Sequence, residues 1–282
     1  MARPPVSLVT LLAMLAFAGN SLLCRAALRD TGIDAGSFTG IRILSGAITL
    51  WLIVALRAPA STTGGAGNWP SALALFAYAA AFSYAYIDLP TGTGALLLFG
   101  AVQASMIGFG LWRGERLGAH QSAGLALACA GLIGLVLPGL TAPPWPSALL
   151  MLFAGAAWGV YSLRGRGTGD PTRVTAGNFL RATVPAFALV IIAMPHASLD
   201  GPGIGYAVAS GALTSGLGYA VWYAAVRQLR ATTAATVQLS VPVIAALGGT
   251  VLLGEPLTFR LMLASIAILG GIALVILRKP AV

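Results

Sequence analysis

Apolar runs of about 20 residues follow one another along almost the whole chain, and only short stretches rich in Gly, Pro and charge separate them. Charged residues make up 8% of the sequence, against about a quarter in a soluble domain. A water-soluble fold of this size needs a polar surface that so few charged residues cannot supply. Lipid must therefore cover most of the molecule, and the sequence predicts an integral membrane protein.

The predicted membrane spans are α-helices, because backbone polar groups in hydrocarbon must be paired within each segment and no short alternating segments indicate a barrel. Ten spans are predicted, near residues 5–25, 36–57, 70–87, 92–112, 119–138, 146–163, 174–194, 203–226, 231–253 and 258–277. The connections between them are too short for a second domain. The expected fold is an all-α membrane protein with ten transmembrane helices.

The positions of Lys and Arg predict the orientation in the membrane, because positively charged loops stay in the cytoplasm. Arg25, Arg29 and Arg260 fall on one side of the predicted spans. The side of the N-terminus carries Arg3, Arg57, Arg113, Arg116, Arg164, Arg166, Arg173, Arg227, Arg230, Arg278 and Lys279. We therefore expect both termini in the cytoplasm, in a multi-pass protein of a bacterial-type inner (plasma) membrane.

The sequence argues against several other classes of function. Its basic residues are scattered, without a basic stripe, so no nucleic-acid partner is expected despite the net charge of +9. Cys24 and Cys129 are isolated in apolar runs and predict neither a disulfide nor a metal site. No catalytic motif is present and no cofactor is expected, so an enzyme is disfavoured. Glu255 lies beside a predicted helix end, where a solvated structural role is expected.

A short internal repeat indicates two related halves. Gly114-Glu115-Arg116-Leu117 recurs 140 residues later as Gly254-Glu255-Pro256-Leu257, after the predicted fourth and ninth spans. We place the halves at 1–140 and 141–282, within one membrane domain. With five helices in each, the halves must enter the membrane in opposite senses, which is the inverted-repeat plan of many secondary transporters.

Four stretches resemble the drug/metabolite transporter superfamily in its EamA-type branch: Phe17–Arg25 (FAGNSLLCR), Phe38–Gly46 (FTGIRILSG), Ala157–Arg164 (AWGVYSLR) and Leu229–Ala245. Within this branch the chain looks most like the YddG-type amino-acid exporters. The resemblance implies ten helices, cytoplasmic termini and a central cavity between the halves. Val102 departs from the pattern, because the second half has the mid-helix Pro242 at the corresponding position.

Polar and aromatic side chains inside the spans are the candidates for solute binding, because a polar group in hydrocarbon is costly unless it faces a cavity or another helix. The candidates are Asn20, Tyr78, Gln103, Trp158, Tyr161, Asn178, Tyr219 and Gln238, with Trp222 and Tyr223 beside Tyr219 on one helix face. A hydrogen bond between helices explains each amide as well as a ligand contact does. An interfacial aromatic belt explains Trp222 equally well.

Two arginines and two prolines complete the candidate residues. Arg42 and Arg181 are the only charges well within the predicted spans, and each either pairs with a substrate carboxylate or extends to the membrane interface. Pro185 and Pro242 remove the helical hydrogen bonds to the carbonyls of Arg181 and Gln238. Each is therefore a candidate hinge for gating.

Together these patterns predict a secondary transporter that exports amino acids or similar small metabolites by alternating access. No Asp or Glu lies deep within a predicted span, which predicts uncoupled, facilitated transport. The alternatives are a sugar-nucleotide or phosphate-metabolite carrier, which needs cationic side chains clustered in the cavity, and a membrane scaffold or enzyme without transport activity. The expected partners are a small solute and the lipid bilayer, and the choice between monomer and homodimer stays open.

Overall fold

The computed structural model describes residues 5–56, 67–114, 116–139, 142–165, 170–229 and 231–277, and within these ranges the regular structure is helical. The helices are α1 (Val6–Asp30), α2 (Ala35–Ala55), α3 (Trp69–Ala85), α4 (Thr91–Trp112), α5 (Ala119–Val136), α6 (Trp145–Arg164), α7 (Pro171–Ala193), α8 (Gly201–Ala209), α9 (Gly218–Val226), α10 (Ala231–Gln238), α11 (Ser240–Leu253) and α12 (Phe259–Leu277). A 3-10 turn, Met194–His196, follows α7, and a π-helical segment, Ser210–Leu217, joins α8 to α9.

Eight helical segments of the described residues are long and apolar enough to cross a membrane, so the protein is a multi-pass, all-helical membrane protein as predicted. The two predicted spans outside this set are 70–87 and 203–226. The first coincides with α3, which has 17 residues, and the second with the continuous helical stretch formed by α8, the π-helical segment and α9. Large apolar side chains face outward along the helices, as Ile192 and Val251 do, which suits contact with lipid.

Part of the sequence evidence falls on residues that the structure does not describe. Glu115 of the first Gly-Glu-x-Leu sequence lies outside the described residues, and so do six of the basic residues used for orientation: Arg3, Arg57, Arg166, Arg230, Arg278 and Lys279.

Acidic and amide side chains determine where several helices begin. Asp34, Asp170 and Asp200 each precede a helix and accept a hydrogen bond from a backbone N–H of its first turn, and Asn68 does the same for α3. At the other end of a helix, Gly254 terminates α11 in the left-handed conformation, with φ of 66°, which suits a residue without a Cβ atom. These local signals account for the short connections between the helices.

Helix α1 extends to Asp30, beyond the predicted end at residue 25. The sequence prediction ended the span at the first charged residue, Arg25. Tertiary contacts override this rule, because Arg25 and Arg29 both find hydrogen-bond acceptors in other segments while still in helical conformation.

The helices pack in pairs that cross between the two halves of the chain. Helix α2 packs against α7, α5 against α12, α3 and α4 against α6, and α1 against α9 and α11. Small residues permit the close approaches. A Cβ atom on Gly155 of α6 would collide with the backbone of Leu98 in α4, and one on Gly211 of the π-helical segment would collide with the backbone of Arg42 in α2.

Candidate functional site

At one end of the helical bundle, an ion pair connects the first half of the chain to the second. We call this end the closed end. Arg25 Nε lies 3.2 Å from Glu255 Oε1, and the second carboxylate oxygen of Glu255 accepts a hydrogen bond of 2.7 Å from the N–H of Thr91 at the start of α4. Arg25 also donates to the carbonyls of Tyr86 and Ile87. The network therefore ties α1, the α3–α4 connection and the α11–α12 connection together.

The expectation that Glu255 is solvated is wrong. Its side chain is only 8% exposed, and it is held by the guanidinium of Arg25 and the N-terminus of α4. A carboxylate tolerates such burial when a cation and backbone N–H groups satisfy its oxygens. Glu255 still has a structural role, but as a buried side chain that links separate segments.

A second set of contacts at the closed end joins the α1–α2 and α7–α8 connections. The carboxylate of Asp34 accepts a hydrogen bond from the N–H of Ser198, and that of Asp200 accepts one from the N–H of Gly32, each at 3.0 Å. Partial burial works to raise the pKa of Asp34, but hydrogen bonds from Ser37 and Ser198 outweigh it and hold this pKa below its usual value. Both connections are therefore fixed in the closed arrangement.

The opposite end of the bundle contains a cavity of about 510 Å³ between the two halves. It reaches Gly165 and Pro171 at the α6–α7 connection and Val226 at the end of α9, and so it extends to the end of the molecule that we call the open end. Its lining is uncharged and consists of Val102, Gln103, Met106, Trp158, Tyr161, Ser162, Gly165, Pro171, Val174, Thr175, Asn178, Tyr219, Trp222, Tyr223, Val226, Ala234 and Gln238.

A smaller chamber, of about 30 Å³, lies deeper in the bundle. Its residues come from α1, α3, α4, α6, the π-helical segment, α9 and α10, and they are Phe17, Asn20, Ser21, Tyr78, Phe82, Leu98, Phe99, Trp158, Thr214, Ser215, Tyr219 and Gln238. Trp158, Tyr219 and Gln238 border both spaces, so these side chains form the boundary between the cavity and the deep chamber.

Aromatic rings form the wall around this boundary. The ring of Trp158 lies 4.9 Å from that of Tyr78 and 5.3 Å from those of Tyr161 and Tyr219, measured between centroids. These are tilted contacts at the separation that aromatic pairs prefer. The wall offers a broad apolar surface with hydroxyl groups at its edges.

Hydrogen bonds connect the polar groups of the deep chamber. Asn20 donates from Nδ2 to the Tyr78 hydroxyl at 3.2 Å, and Arg42 donates from Nη2 to the same hydroxyl at 3.1 Å. Ser210, in the π-helical segment, donates to Asn20 Oδ1 at 2.8 Å. Asn20 therefore joins α1 both to α3 and to the segment between α8 and α9.

Arg42 is a buried cation directly behind this wall. Its side chain is 2% exposed, and its guanidinium carbon lies 4.8 Å from the centroid of the Phe82 ring and 5.4 Å from that of Tyr78. Its Nη1 has no hydrogen-bond partner among the described residues. Arg181 differs, because it donates at 2.9 Å to the Gly177 carbonyl of its own helix and is not among the residues that line the cavity or the deep chamber.

The structure brings together all eight side chains predicted to bind solute: Asn20, Tyr78, Gln103, Trp158, Tyr161, Asn178, Tyr219 and Gln238 each line the cavity, the deep chamber or both. Asn178 also makes the contact between segments that the sequence left open, since its Oδ1 accepts a hydrogen bond from the N–H of Asn68. Trp222 and Tyr223 lie in the cavity wall.

The two prolines differ in their effect on the helices. Near Pro242 the helix is interrupted at Leu239, between α10 and α11, where the Leu239 N–H turns to the carbonyl of Thr236. Gln238, which borders both spaces, immediately precedes this interruption. Helix α7, in contrast, continues through Pro185.

The π-helical segment supplies side chains to the candidate site that the sequence did not predict. Ser210 bonds Asn20, and Thr214 and Ser215 line the deep chamber. The available signal was its composition, SGALTSGL, whose small residues allow close packing on α2 but do not predict a π-helix. Such wide turns often occur at functional sites because they redirect side chains.

Comparison with known proteins gives consistent similarities. The family model described as the EamA-like transporter family matches residues 145–277. An uncharacterised protein of Pseudomonas aeruginosa is 60% identical over 269 residues, which cover 95% of this chain and 93% of that protein. The threonine/homoserine exporter RhtA of Salmonella typhimurium is 35% identical over 142 residues, 47% of each chain. A solved crystal structure with 20% identity shares the fold, with a TM-score of 0.67 over 96% of both chains.

Proposed function

The chain belongs to the EamA-like transporter family, and we propose that it is a secondary transporter that exports amino acids or similar small metabolites by alternating access. The observation that carries the proposal is the asymmetry of the bundle: a cavity of about 510 Å³ extends to one end, while the ion pair of Arg25 and Glu255 and hydrogen bonds between connections join the segments at the other end. A solute in the cavity has access from one side only, as one half of a transport cycle requires.

The chemistry of the cavity supports a small, partly apolar solute. Aromatic rings around Trp158 supply apolar contact, while amides such as Asn20 and Gln238 supply hydrogen bonds. No Lys or Arg is among the described residues that line the two spaces. This lining disfavours a phosphate-bearing metabolite, which needs clustered cations. The similarity to RhtA, a threonine/homoserine exporter, supports an amino acid.

The pairing of the helices supports ten spans arranged as two inverted halves, 1–140 and 141–282. Exchanging the halves maps α3 onto the α8–α9 stretch, α4 onto α10–α11, and α1 onto α6. The contacts of α6 with α3 and α4 then correspond to contacts of α1 with α8–α9 and α11, and both sets are present. The pairs α2–α7, α4–α11 and α5–α12 map onto themselves.

The charge bias supports an inner-membrane protein with cytoplasmic termini and a cytoplasmic open end. The three basic residues of the opposite side, Arg25, Arg29 and Arg260, all donate hydrogen bonds to backbone carbonyls at the closed end. The open end, which faces the cytoplasm in this orientation, is the side from which an exporter takes up its solute.

We assign solute contact to the eight predicted side chains and gating to Pro242, with Pro185 as the second hinge. Uncoupled transport is part of the proposal. The described acids, Asp30, Asp34, Asp88, Asp170, Asp200 and Glu255, lie at helix ends or in connections, and none is among the residues that line the two spaces. The described residues therefore provide no proton-binding carboxylate at the solute site.

The test is counterflow with purified protein in liposomes, against a panel of amino acids, nucleosides and organic cations. We expect uptake of labelled amino acid into liposomes loaded with the same amino acid, and none into liposomes without protein. Trp112→Ala is a suitable control variant, because this tryptophan is 80% exposed, outside both spaces. Flux of no solute in the panel would refute the proposed function.

A further inference from the structure

The deep chamber has a cation behind its wall and no acid in its lining. Arg42 is 98% buried, as its exposed fraction of 2% implies, and a guanidinium stays protonated throughout the physiological pH range. No Asp or Glu is among the described residues that line the chamber or the cavity. Within the part of the chain that the structure describes, the guanidinium of Arg42 lies against ring faces and a hydroxyl and forms no ion pair with a carboxylate.

The polar groups around Arg42 present donors. The Tyr78 hydroxyl oxygen accepts hydrogen bonds from both Asn20 and Arg42, which leaves its own O–H to donate. Arg42 Nη1 has no acceptor within the described chain although it is buried, and an unsatisfied buried donor is costly. A negatively charged oxygen would satisfy both of these donors.

Binding of a positively charged group in the deep chamber would be unfavourable. The faces of the Phe82 and Tyr78 rings, which otherwise attract cations, already lie against the guanidinium of Arg42. An ammonium in the deep chamber would meet like charge in an environment of low dielectric constant, without a carboxylate to offset the repulsion.

We infer that the transporter recognises its solute by a carboxylate held at Arg42 and Tyr78, and that the amino group of an amino acid contributes little to binding. This inference rests on the proposed function and narrows its substrate class to monocarboxylates with a small apolar side chain, with or without an amino group. The aromatic wall around Trp158 holds the side chain, and a movement of the Tyr78 and Phe82 rings brings the carboxylate to Nη1.

The experiment uses three matched probes and the purified full chain in detergent, with binding measured by calorimetry. L-leucine has both charged groups, 4-methylpentanoate lacks the amino group, and 3-methylbutylamine lacks the carboxylate. We expect the acid to bind within about tenfold of leucine, and the amine to bind at least about tenfold more weakly than the acid.

Substitutions at Arg42 then test whether this residue is the cation that binds the carboxylate. Arg42→Gln should weaken binding of both acids by about tenfold to a hundredfold. It should not weaken binding of the amine, because the substitution removes the like charge that repels an ammonium. Arg42→Lys, which keeps the charge but not the planar fork, should fall between. Arg113→Gln is the matched control, because Arg113 also lies over an aromatic ring, that of Phe109, but is exposed and outside both spaces.

The outcomes separate the inference from the proposed function. Amine binding as tight as that of the acid, or unchanged acid binding in Arg42→Gln, would overturn the inference, as would a loss confined to Arg181→Gln. A protein that transports other solutes from the panel but binds neither acid would overturn the inference and leave transport intact. Absence of flux for every solute would instead refute the transporter itself.

Discussion

Arg25 and Glu255, which are 230 residues apart in the sequence, form a largely buried ion pair of 3.2 Å that joins the first half of the chain to the second. The pair lies at the closed end, and Glu255 also binds the N-terminus of α4. Alternating access requires these segments to separate. The pair is therefore the contact whose loss should favour opening of the closed end.

Glu255→Gln should favour that opening, because Gln keeps an acceptor for the Thr91 N–H but removes the charge opposite Arg25. Breaking a buried pair costs about 3–5 kcal/mol, and about 1.4 kcal/mol changes a population tenfold. We expect a cysteine at Ser21, in the deep chamber, to react with an external impermeant maleimide at least about tenfold faster in this variant, measured with Cys24 and Cys129 replaced by Ala.

The control for this measurement is Asp30→Asn. Asp30 pairs with Arg29 at the same end, but its side chain is 44% exposed, and exposed pairs contribute about 0–1 kcal/mol. In the Asp30→Asn protein, the cysteine at position 21 should be labelled at nearly the same rate as in the parent protein. Equal rates in the Glu255→Gln and parent proteins would show that the ion pair does not hold the end closed.

Topology can be measured by labelling single cysteines in intact cells. Glu255 itself is a poor position, because its burial would block the reagent. Ala197, exposed at the closed end, and Gln228, exposed after α9, are better positions. In a background without Cys24 and Cys129, Ala197→Cys should react with an impermeant reagent and Gln228→Cys should not. The reverse pattern would contradict the proposed orientation.

Trp158→Ala should weaken solute binding, since Trp158 borders both spaces and packs against Tyr78, Tyr161 and Tyr219. We expect a loss of about 1–3 kcal/mol in the binding free energy, from lost apolar area and lost ring contacts. Calorimetry with L-leucine measures it, with Trp112→Ala as the exposed control. Unchanged affinity in well-folded protein would remove Trp158 from the site.

Pro242→Ala should slow turnover more than it weakens binding, because an alanine at this position can restore the helical hydrogen bond to the Gln238 carbonyl and stiffen the α10–α11 junction. The comparison is the rate of counterflow against the affinity in the same preparation. Pro146→Ala is the control, because Pro146 lies in the first turn of α6, where a proline removes no helical hydrogen bond. Wild-type rates in Pro242→Ala would limit this proline to packing.

Uncoupled transport predicts that a pH gradient does not change the final distribution of solute across liposomes when the membrane potential is clamped. Asp88 is the acid to test, because it lies in the short connection after α3 and accepts a hydrogen bond of 2.6 Å from Ser147 at the closed end. We expect the same distribution under inward and outward gradients. Accumulation that reverses with the gradient and disappears in Asp88→Asn would show proton coupling.

The sequence by itself determined the membrane class, the helical architecture and eight of the side chains that line the cavity or the deep chamber. These follow from local chemistry, because hydrocarbon excludes unpaired backbone and makes each buried amide or ring stand out. Asn20 and Tyr78, predicted separately, proved to be hydrogen-bonded to each other. Their polar groups within apolar spans were enough to select them, although this signal did not say which helix each side chain would meet.

Only the tertiary structure decided the burial of Arg25, Glu255 and Arg42 and the conformation of the π-helical segment. The sequence places Arg25 and Glu255 at helix ends, where charges are usually solvated, and their burial depends on segments far away in the chain. Arg42 and Arg181 have similar positions within their spans, yet one lies behind the deep chamber and the other bonds its own helix. A side chain's partner across a helix interface depends on the packing of whole helices, which no local pattern encodes.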